Sequence, residues 1–172
     1  MKNIFDYMYE TKNKGNVLLK IGCKGNVADC FICNEDLKRH IKDYSVGDYI
    51  NLTGNIQSSK RGDNLSYTVF VESIVPPEYA DRSFYNQFWL SGIITNICEL
   101  PNCWRFIIKT QNNGWVSYVP VVFYYPDERK INGFLVGMPI VTQGSIQSVR
   151  KINSAGEYVH YQNYVGNIKK TG

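Results

Sequence analysis

Val46-Gly47-Asp48-Tyr49-Ile50-Asn51-Leu52-Thr53-Gly54-Asn55-Ile56-Gln57-Ser58 is echoed 90 positions later by Val136-Gly137-Met138-Pro139-Ile140-Val141-Thr142-Gln143-Gly144-Ser145-Ile146-Gln147-Ser148, with seven of the thirteen positions identical. A self-match of this length marks a module used twice, so the fold is to be read from the module. The match extends upstream at a shift of 89. There Val17-Leu18-Leu19-Lys20 lies over Phe106-Ile107-Ile108-Lys109, and Gly25-Asn26-Val27 over Gly114-Trp115-Val116. Ile4 lies over Ile93 and Glu10 over Glu99. One residue of drift between the blocks is what a single loop insertion produces.

Around each copy, short apolar runs alternate with turn residues, the pattern of strands. The first half reads as strands near 3–9, 17–23, 27–33, 49–58 and 66–74, and the second near 88–97, 104–110, 115–124, 140–149 and 158–168. Between the third and fourth strands, Leu37, Ile41 and Tyr44 fall at helical spacing behind Asn34, which suits an N-cap. A weaker helix or turn is expected at Asp127–Ile131. Pro76-Pro77-Glu78-Tyr79 opens a linker, since two prolines stop a strand. The expected organisation is module 1 over 1–75, a linker over 76–85 and module 2 over 86–172. Five strands with a helix between the third and fourth is the order of an OB-fold, so the chain is expected to be all-β, two tandem five-stranded Greek-key barrels. Gly47 and Gly137 belong in the turn before the fourth strand. Gly54 and Gly144 lie inside it, where a tightly curved strand has no room for a Cβ.

The bulk numbers narrow the class. The chain has 172 residues, net charge +4, 13 Tyr, 8 Phe and 3 Trp, a mildly basic and aromatic-rich balance that suits a nucleic-acid partner without requiring one. Met1-Lys2-Asn3-Ile4-Phe5-Asp6 opens no apolar leader, and no long apolar run follows, so secretion and membrane spanning are not expected. Five cysteines without framework spacing fit a reducing, cytoplasmic setting.

The passage from Leu37-Lys38-Arg39-His40-Ile41-Lys42-Asp43-Tyr44 through Gly54-Asn55-Ile56 resembles the helix, glycine turn and fourth strand of the bacterial single-stranded-DNA-binding protein family. Ser66-Tyr67-Thr68-Val69-Phe70-Val71 is similar to that family's final strand. The resemblance covers most of module 1 and, more loosely, the strands of module 2. It implies single-stranded DNA binding and an assembly of four OB domains, which two chains would supply as a homodimer. The family's acidic partner-recruiting tail has no counterpart in Ile168-Lys169-Lys170-Thr171-Gly172, so recruitment by a tail is not expected.

OB domains hold single strands with a basic groove for the phosphates and aromatics that stack on bases. On the second strand of module 2, Trp104, Phe106 and Ile108 alternate with Arg105, Ile107 and Lys109. The first set is expected in the core, with Arg105 and Lys109 in the groove. Lys20 matches Lys109 in the repeat. Past each fourth strand lies a cation pair, Lys60-Arg61 and Arg150-Lys151, expected in the hairpin loops that flank the groove. Trp115 and Tyr118 are the expected stackers of the third strand. On the final strands Tyr67 aligns with Tyr158 and Phe70 with Tyr161, about half of them expected to be core.

Cys23, Cys30, Cys33 and His40 offer soft ligands, but Cys30 and Cys33 lie on a strand, where residues three apart face opposite ways. Buried free thiols are the expectation, with no metal or cofactor. Neither His40 nor His160 sits in a catalytic pattern, and no phosphate loop or nucleophile elbow occurs, so catalysis is not expected. The reading is largely sequence-independent single-stranded DNA binding in replication, recombination or mobile-element maintenance. The alternatives are an RNA-binding OB protein, or a protein-interaction scaffold using the apolar run Val119-Pro120-Val121-Val122-Phe123-Tyr124-Tyr125.

Overall fold

The structure, a computed structural model, describes residues 8–10, 15–23, 25–61, 64–76, 79, 86–124 and 133–168. The chain divides into two compact units, Met1–Ile56 with Tyr67–Tyr85, and Gln57–Ser66 with Asn86–Gly172.

In unit 1, β1 (Met8–Glu10), β2 (Val17–Cys23) and β3 (Asn26–Ile32) precede a helix α1 (Glu35–His40) that tightens into a 3-10 turn at Ile41–Asp43. Then come β4 (Leu52–Arg61) and β5 (Asn64–Ile74), whose far ends, 57–66, count with unit 2. The sheet order is β1-β2-β3-β5-β4, with β3 parallel to β5 through Cys30↔Val69 and Phe31↔Phe70. Leu19, Cys30, Ile32, Val69 and Val71 line the buried face, and Ile41 and Tyr44 add to the buried core. The helix starts where the sequence places it: the Asn34 side chain accepts from the backbone N–H of Asp36 at 2.8 Å and of Leu37 at 3.3 Å.

Unit 2 is a closed barrel. Its strands are β6 (Phe88–Leu100), β7 (Cys103–Asn112), β8 (Trp115–Tyr124), β9 (Pro139–Ile152) and β10 (Tyr158–Ile168), in the order β10-β8-β7-β6-β9. Closure comes from β9, which pairs antiparallel with both β6 and β10. Strand order and the parallel third–fifth pairing are the same in both units, and the closed barrel of unit 2 is consistent with an OB-fold. Phe106 packs against Phe123 and Phe134, and Phe88 meets Tyr164 edge-on. Val119, Val121, Val122 and Phe123 are buried here, so the apolar run expected as an interaction surface is core, and only Tyr124 is exposed among its described residues.

The repeated phrase makes the same turn and the same glycine crossing twice. Residues 45–48 and 135–138 are four-residue turns, closed by Asp48 N–H to Ser45 O at 3.1 Å and Met138 N–H to Leu135 O at 3.1 Å. Each has glycine in third place, Gly47 at φ 103° and Gly137 at φ 95°, a backbone that side chains with Cβ avoid. A Cβ on Gly54 would stand 2.2 Å from Phe70 O, and one on Gly144 1.9 Å from Val165 O, so both strands need glycine to approach the final strand. On β6 a bulge at Thr95 shifts the register, and its hydroxyl donates to Ile107 O at 3.0 Å.

Some expectations shift. Strand β4 begins at Leu52 rather than Tyr49 because the turn and the segment after it occupy 45–51. The stretch expected as a second helix, 127–131, lies outside the described residues, as do most of 3–9. Among the described residues no helix is long and apolar enough to cross a membrane.

Candidate nucleic-acid interface

The β7–β8 hairpin turns on Asn113 (φ 47°) and Gly114 (φ 84°), the two left-handed residues that a tight hairpin with native twist requires. That turn sets the register. Phe106↔Val121 and Ile108↔Val119 point into the barrel, so Arg105, Ile107↔Pro120 and Lys109↔Tyr118 point outward, while Val122, opposite Arg105, is buried on that side. On the neighbouring strand Ile93 stands opposite Lys109 and Cys98 opposite Arg105. Arg105 and Lys109 are exposed as expected, and Tyr118 is 42% exposed beside Lys109. The outward positions of β6, β7 and β8 carry these two cations and no carboxylate. An ammonium beside an open phenol ring can hold a phosphate and stack a base at one place.

The backbone under Tyr118 is pinned within unit 2. Tyr118 N–H donates to Ser58 Oγ at 2.9 Å, and Ser58 N–H donates to the buried Ser117 Oγ at 3.2 Å. Trp115 is placed differently from the expectation. It is 66% exposed, but it shares a face with Ser117 and Val119, whereas Tyr118 is on the other. Trp115 is exposed because it extends its inward row past the end of the core.

Unit 1 has the same hairpin with another finish. Counted from the glycine turn, Lys20 sits where Lys109 sits, three residues before the strand ends. Its cross-strand partner is Asp29, and Lys20 Nζ lies 2.7 Å from Asp29 Oδ1. Further along the outward face Phe31 meets Phe70, ring centroids 5.6 Å apart, both half-buried. Phe70 shares this face with Thr68 and with Glu72, which accepts a hydrogen bond from Asn55. Tyr67 belongs to the row of buried Val69 and Val71.

The glycine contacts also correct the pairing of final strands. Since Gly54 approaches Phe70 and Gly144 approaches Val165, Phe70 corresponds to Val165 rather than to Tyr161. The cation pairs are on strands, not in loops: Lys60 and Arg61 end β4, and Arg150 and Lys151 lie in β9 opposite His160 and Val159. Tyr158 pairs with Ile152 and Tyr161 with Val149. The side chains of Lys60, Arg61, Arg150, Tyr158 and Tyr161 lie outside the described set, and Lys151 is exposed. The β9–β10 loop is shorter than expected because Asn153 closes it, accepting from Ala155 N–H at 3.0 Å and Glu157 N–H at 2.9 Å.

Two outward residues went unexpected, Trp89 at 66% exposure and the exposed Ile93. Trp89 precedes the reach of the repeat, so no counterpart exposed it. The polar Ser91 between them was the available signal, because period-two alternation puts Trp89 and Ile93 on its side.

The cysteines are dispersed. Burial, with Asp29 adding to it, pushes the Cys30 thiol up to about 12, and a thiol held protonated is a poor metal ligand. Cys33 is exposed and Cys23 half-buried. Among the described residues no three of His, Cys, Asp and Glu gather to hold a metal ion.

No protein-family model matches the chain, and no curated protein matches its sequence. Among solved structures, the chain is similar to a deletion mutant of the single-stranded DNA binding protein from Thermus aquaticus. Identity is 14%, the match covers 93% of this chain and 84% of that chain, and the TM-score is 0.66. At that identity the likeness is one of fold, an OB-type fold shared along most of both chains.

Proposed function

We propose that the chain is a tandem pair of OB-fold modules that binds single-stranded DNA, largely without sequence preference, through the outward face of β6–β8. Arg105 and Lys109 neutralise phosphates, and Tyr118 stacks on a base beside Lys109. The observation that carries the reading is the Lys109–Tyr118 pair on a face with no carboxylate. The structural likeness to a single-stranded DNA binding protein supports it at the level of fold. Lys60, Arg61, Arg150 and Lys151 extend the positive track along the hairpin arms, Tyr158 and Tyr161 are its further aromatics, and Trp115 is a stacker at the exposed end of the opposite row. Two chains assembling as a homodimer would present four such modules. The setting is replication, recombination or mobile-element maintenance in the cytoplasm.

The test is oligo-dT titration followed by tryptophan fluorescence across a salt series. Trp89, Trp104 and Trp115 all belong to unit 2, so quenching reports on that unit. Quenching with micromolar or tighter affinity that weakens steeply with salt is expected. Neither quenching nor a mobility shift at low salt overturns the reading. A scaffold reading draws on the outward Trp89, Ile93 and Val141, and it requires that negative result. Competition between poly-dT and poly-U of equal length separates DNA from RNA, and sedimentation with and without DNA decides the dimer.

A further inference from the structure

The two hairpins present the same cation at the same station, yet only one leaves it available. In unit 2 the residue across the ladder from Lys109 is a neutral phenol. In unit 1 the residue across from Lys20 is Asp29, and the ammonium is already engaged at 2.7 Å. Directly opposite residues on a ladder have Cβ atoms only about 4.5–5.5 Å apart, so the strands themselves hold this pair together. It is also partly sheltered, with side chains 29% and 32% exposed, so salt screens it less than a fully exposed pair. The surroundings point the same way. Among the described outward positions of β2, β3 and β5, Lys20 stands against two carboxylates, Asp29 and Glu72, whereas those of β6–β8 hold Arg105 and Lys109 with none. A phosphate approaching Lys20 meets a carboxylate that already neutralises its charge and repels the newcomer.

We infer that Asp29 closes the unit 1 hairpin to nucleic acid, so that the phosphate contacts of this face are made by unit 2 alone. The inference rests on the single-stranded DNA reading and adds to it which unit binds and which residue decides. Asp29 acts through Lys20, and is therefore a determinant of binding rather than a contact residue. The outward aromatics Phe31 and Phe70 make the point sharper. Unit 1 retains apolar surface on which a base could stack, with their rings 5.6 Å apart, but among the described outward positions of β2, β3 and β5 the one cation, Lys20, is already paired.

The experiment uses the full chain and fluorescein-labelled oligo-dT, with anisotropy read between about 50 and 200 mM salt. The salt slope counts phosphates, at about 0.7 per contact for a single strand. Lys20→Ala is expected to leave affinity and slope unchanged. Asp29→Asn is expected to tighten binding several-fold at the low-salt end and to steepen the slope by about 0.7. The double variant Lys20→Ala/Asp29→Asn should return to wild type. Asp43→Asn, which makes the same charge change at an exposed position after α1, should not steepen the slope.

The inference is overturned if Lys20→Ala alone weakens binding and flattens the slope, because Lys20 then contacts phosphate despite Asp29. It is overturned equally if folded Asp29→Asn gains nothing, or if its gain persists without Lys20 or appears in Asp43→Asn. Should Asp29→Asn fail to fold, the Lys20→Ala result decides alone. A wild-type chain that does not bind oligo-dT at the low-salt end is a different failure, that of the DNA reading itself.

Discussion

Across the β2–β3 ladder Lys20 faces Asp29, and across the β7–β8 ladder Lys109 faces Tyr118. Both lysines stand three residues before the end of a strand and five before a left-handed glycine, on the outward side of a five-stranded sheet of the same strand order. The backbone treats the two positions alike, and one side chain makes the chemistry different. A carboxylate opposite the ammonium makes a closed ion pair that holds the strands together, whereas a phenol opposite it leaves both charge and ring facing water. The two units share what the fold needs, namely the turn glycines and the close-approach glycines. They differ at outward ladder positions, because an outward residue is answerable only to its cross-strand neighbour and to solvent.

The common skeleton is the premise of that comparison, and the close-approach glycines are where it can be broken. A Cβ at Gly144 would meet Val165 O at 1.9 Å and Gly166 Cα at 2.8 Å, and β9 is held on its other side by β6 through Phe88↔Gly144. It has nowhere to move. At Gly54 the clash with Phe70 O is similar at 2.2 Å, but among the described ladders β4 lies at the end of the sheet and can shift outward. Gly144→Ala is therefore expected to cost more than about 3 kcal/mol, and Gly54→Ala about 1–3 kcal/mol. Calorimetry of both variants reads this, and tryptophan fluorescence follows unit 2 separately. Equal losses in the two would mean that closure of the unit 2 barrel does not constrain β9.

A smaller effect sharpens the comparison at the ladder itself. Tyr118→Ala removes a stacking surface worth about 1–3 kcal/mol per base but no charge, so affinity should fall while the salt slope stays. Tyr118→Asp rebuilds the unit 1 arrangement on unit 2. It should lose the same stacking and also engage Lys109, flattening the slope by about 0.7. Anisotropy with oligo-dT over a salt series measures both. Identical slopes in the two variants would show that a carboxylate at this station does not silence the cation, and the contrast between the hairpins would lose its meaning.

Much of the skeleton was legible because its constraints are local. Gly47, Gly54, Gly137 and Gly144 each answer a steric demand of one turn or one strand crossing, and the Asn34 cap needs only its own helix. Strands β2, β8 and β10 run where alternation and glycine turns put them. The candidate interface was less legible for two reasons. Alternation gives the face only when a buried neighbour fixes its phase, and Trp115 had no such anchor until Ser117 proved buried. Pairing across strands is also invisible in a linear sequence: Lys20 and Asp29 are nine residues apart, and only the register of the β2–β3 ladder makes them partners. The Phe70–Tyr161 alignment failed likewise, because strand-to-strand contacts at Gly54 and Gly144, not spacing along the chain, define which residues correspond.

The inward side of the same two hairpins offers the smallest and most specific contrast. Across the ladder, Cys30 stands opposite Leu19 as Val119 stands opposite Ile108, so unit 1 has a thiol at a core station that unit 2 fills with valine. Burial, and then the neighbouring Asp29 charge, raise the Cys30 thiol from 9.0 to about 12. A thiol raised on folding keeps its proton in the native state, so its contribution is intact below pH 9 and is lost as pH climbs toward 12, where the unfolded chain deprotonates first. By about pH 10 the loss is about 1.4 kcal/mol, one pH unit of linkage. Cys30→Val keeps the volume and removes the proton, so the stability gap between wild type and variant should move in the variant's favour by that amount between about pH 8 and pH 10. Tyrosines and lysines titrate in the same range, but they are common to both proteins and cancel in the difference. Calorimetric unfolding of the two chains at both pH values measures it. A gap that does not change with pH would mean that Cys30 is reached by water, and that the inward faces of the two hairpins are less alike in packing than their shared register implies.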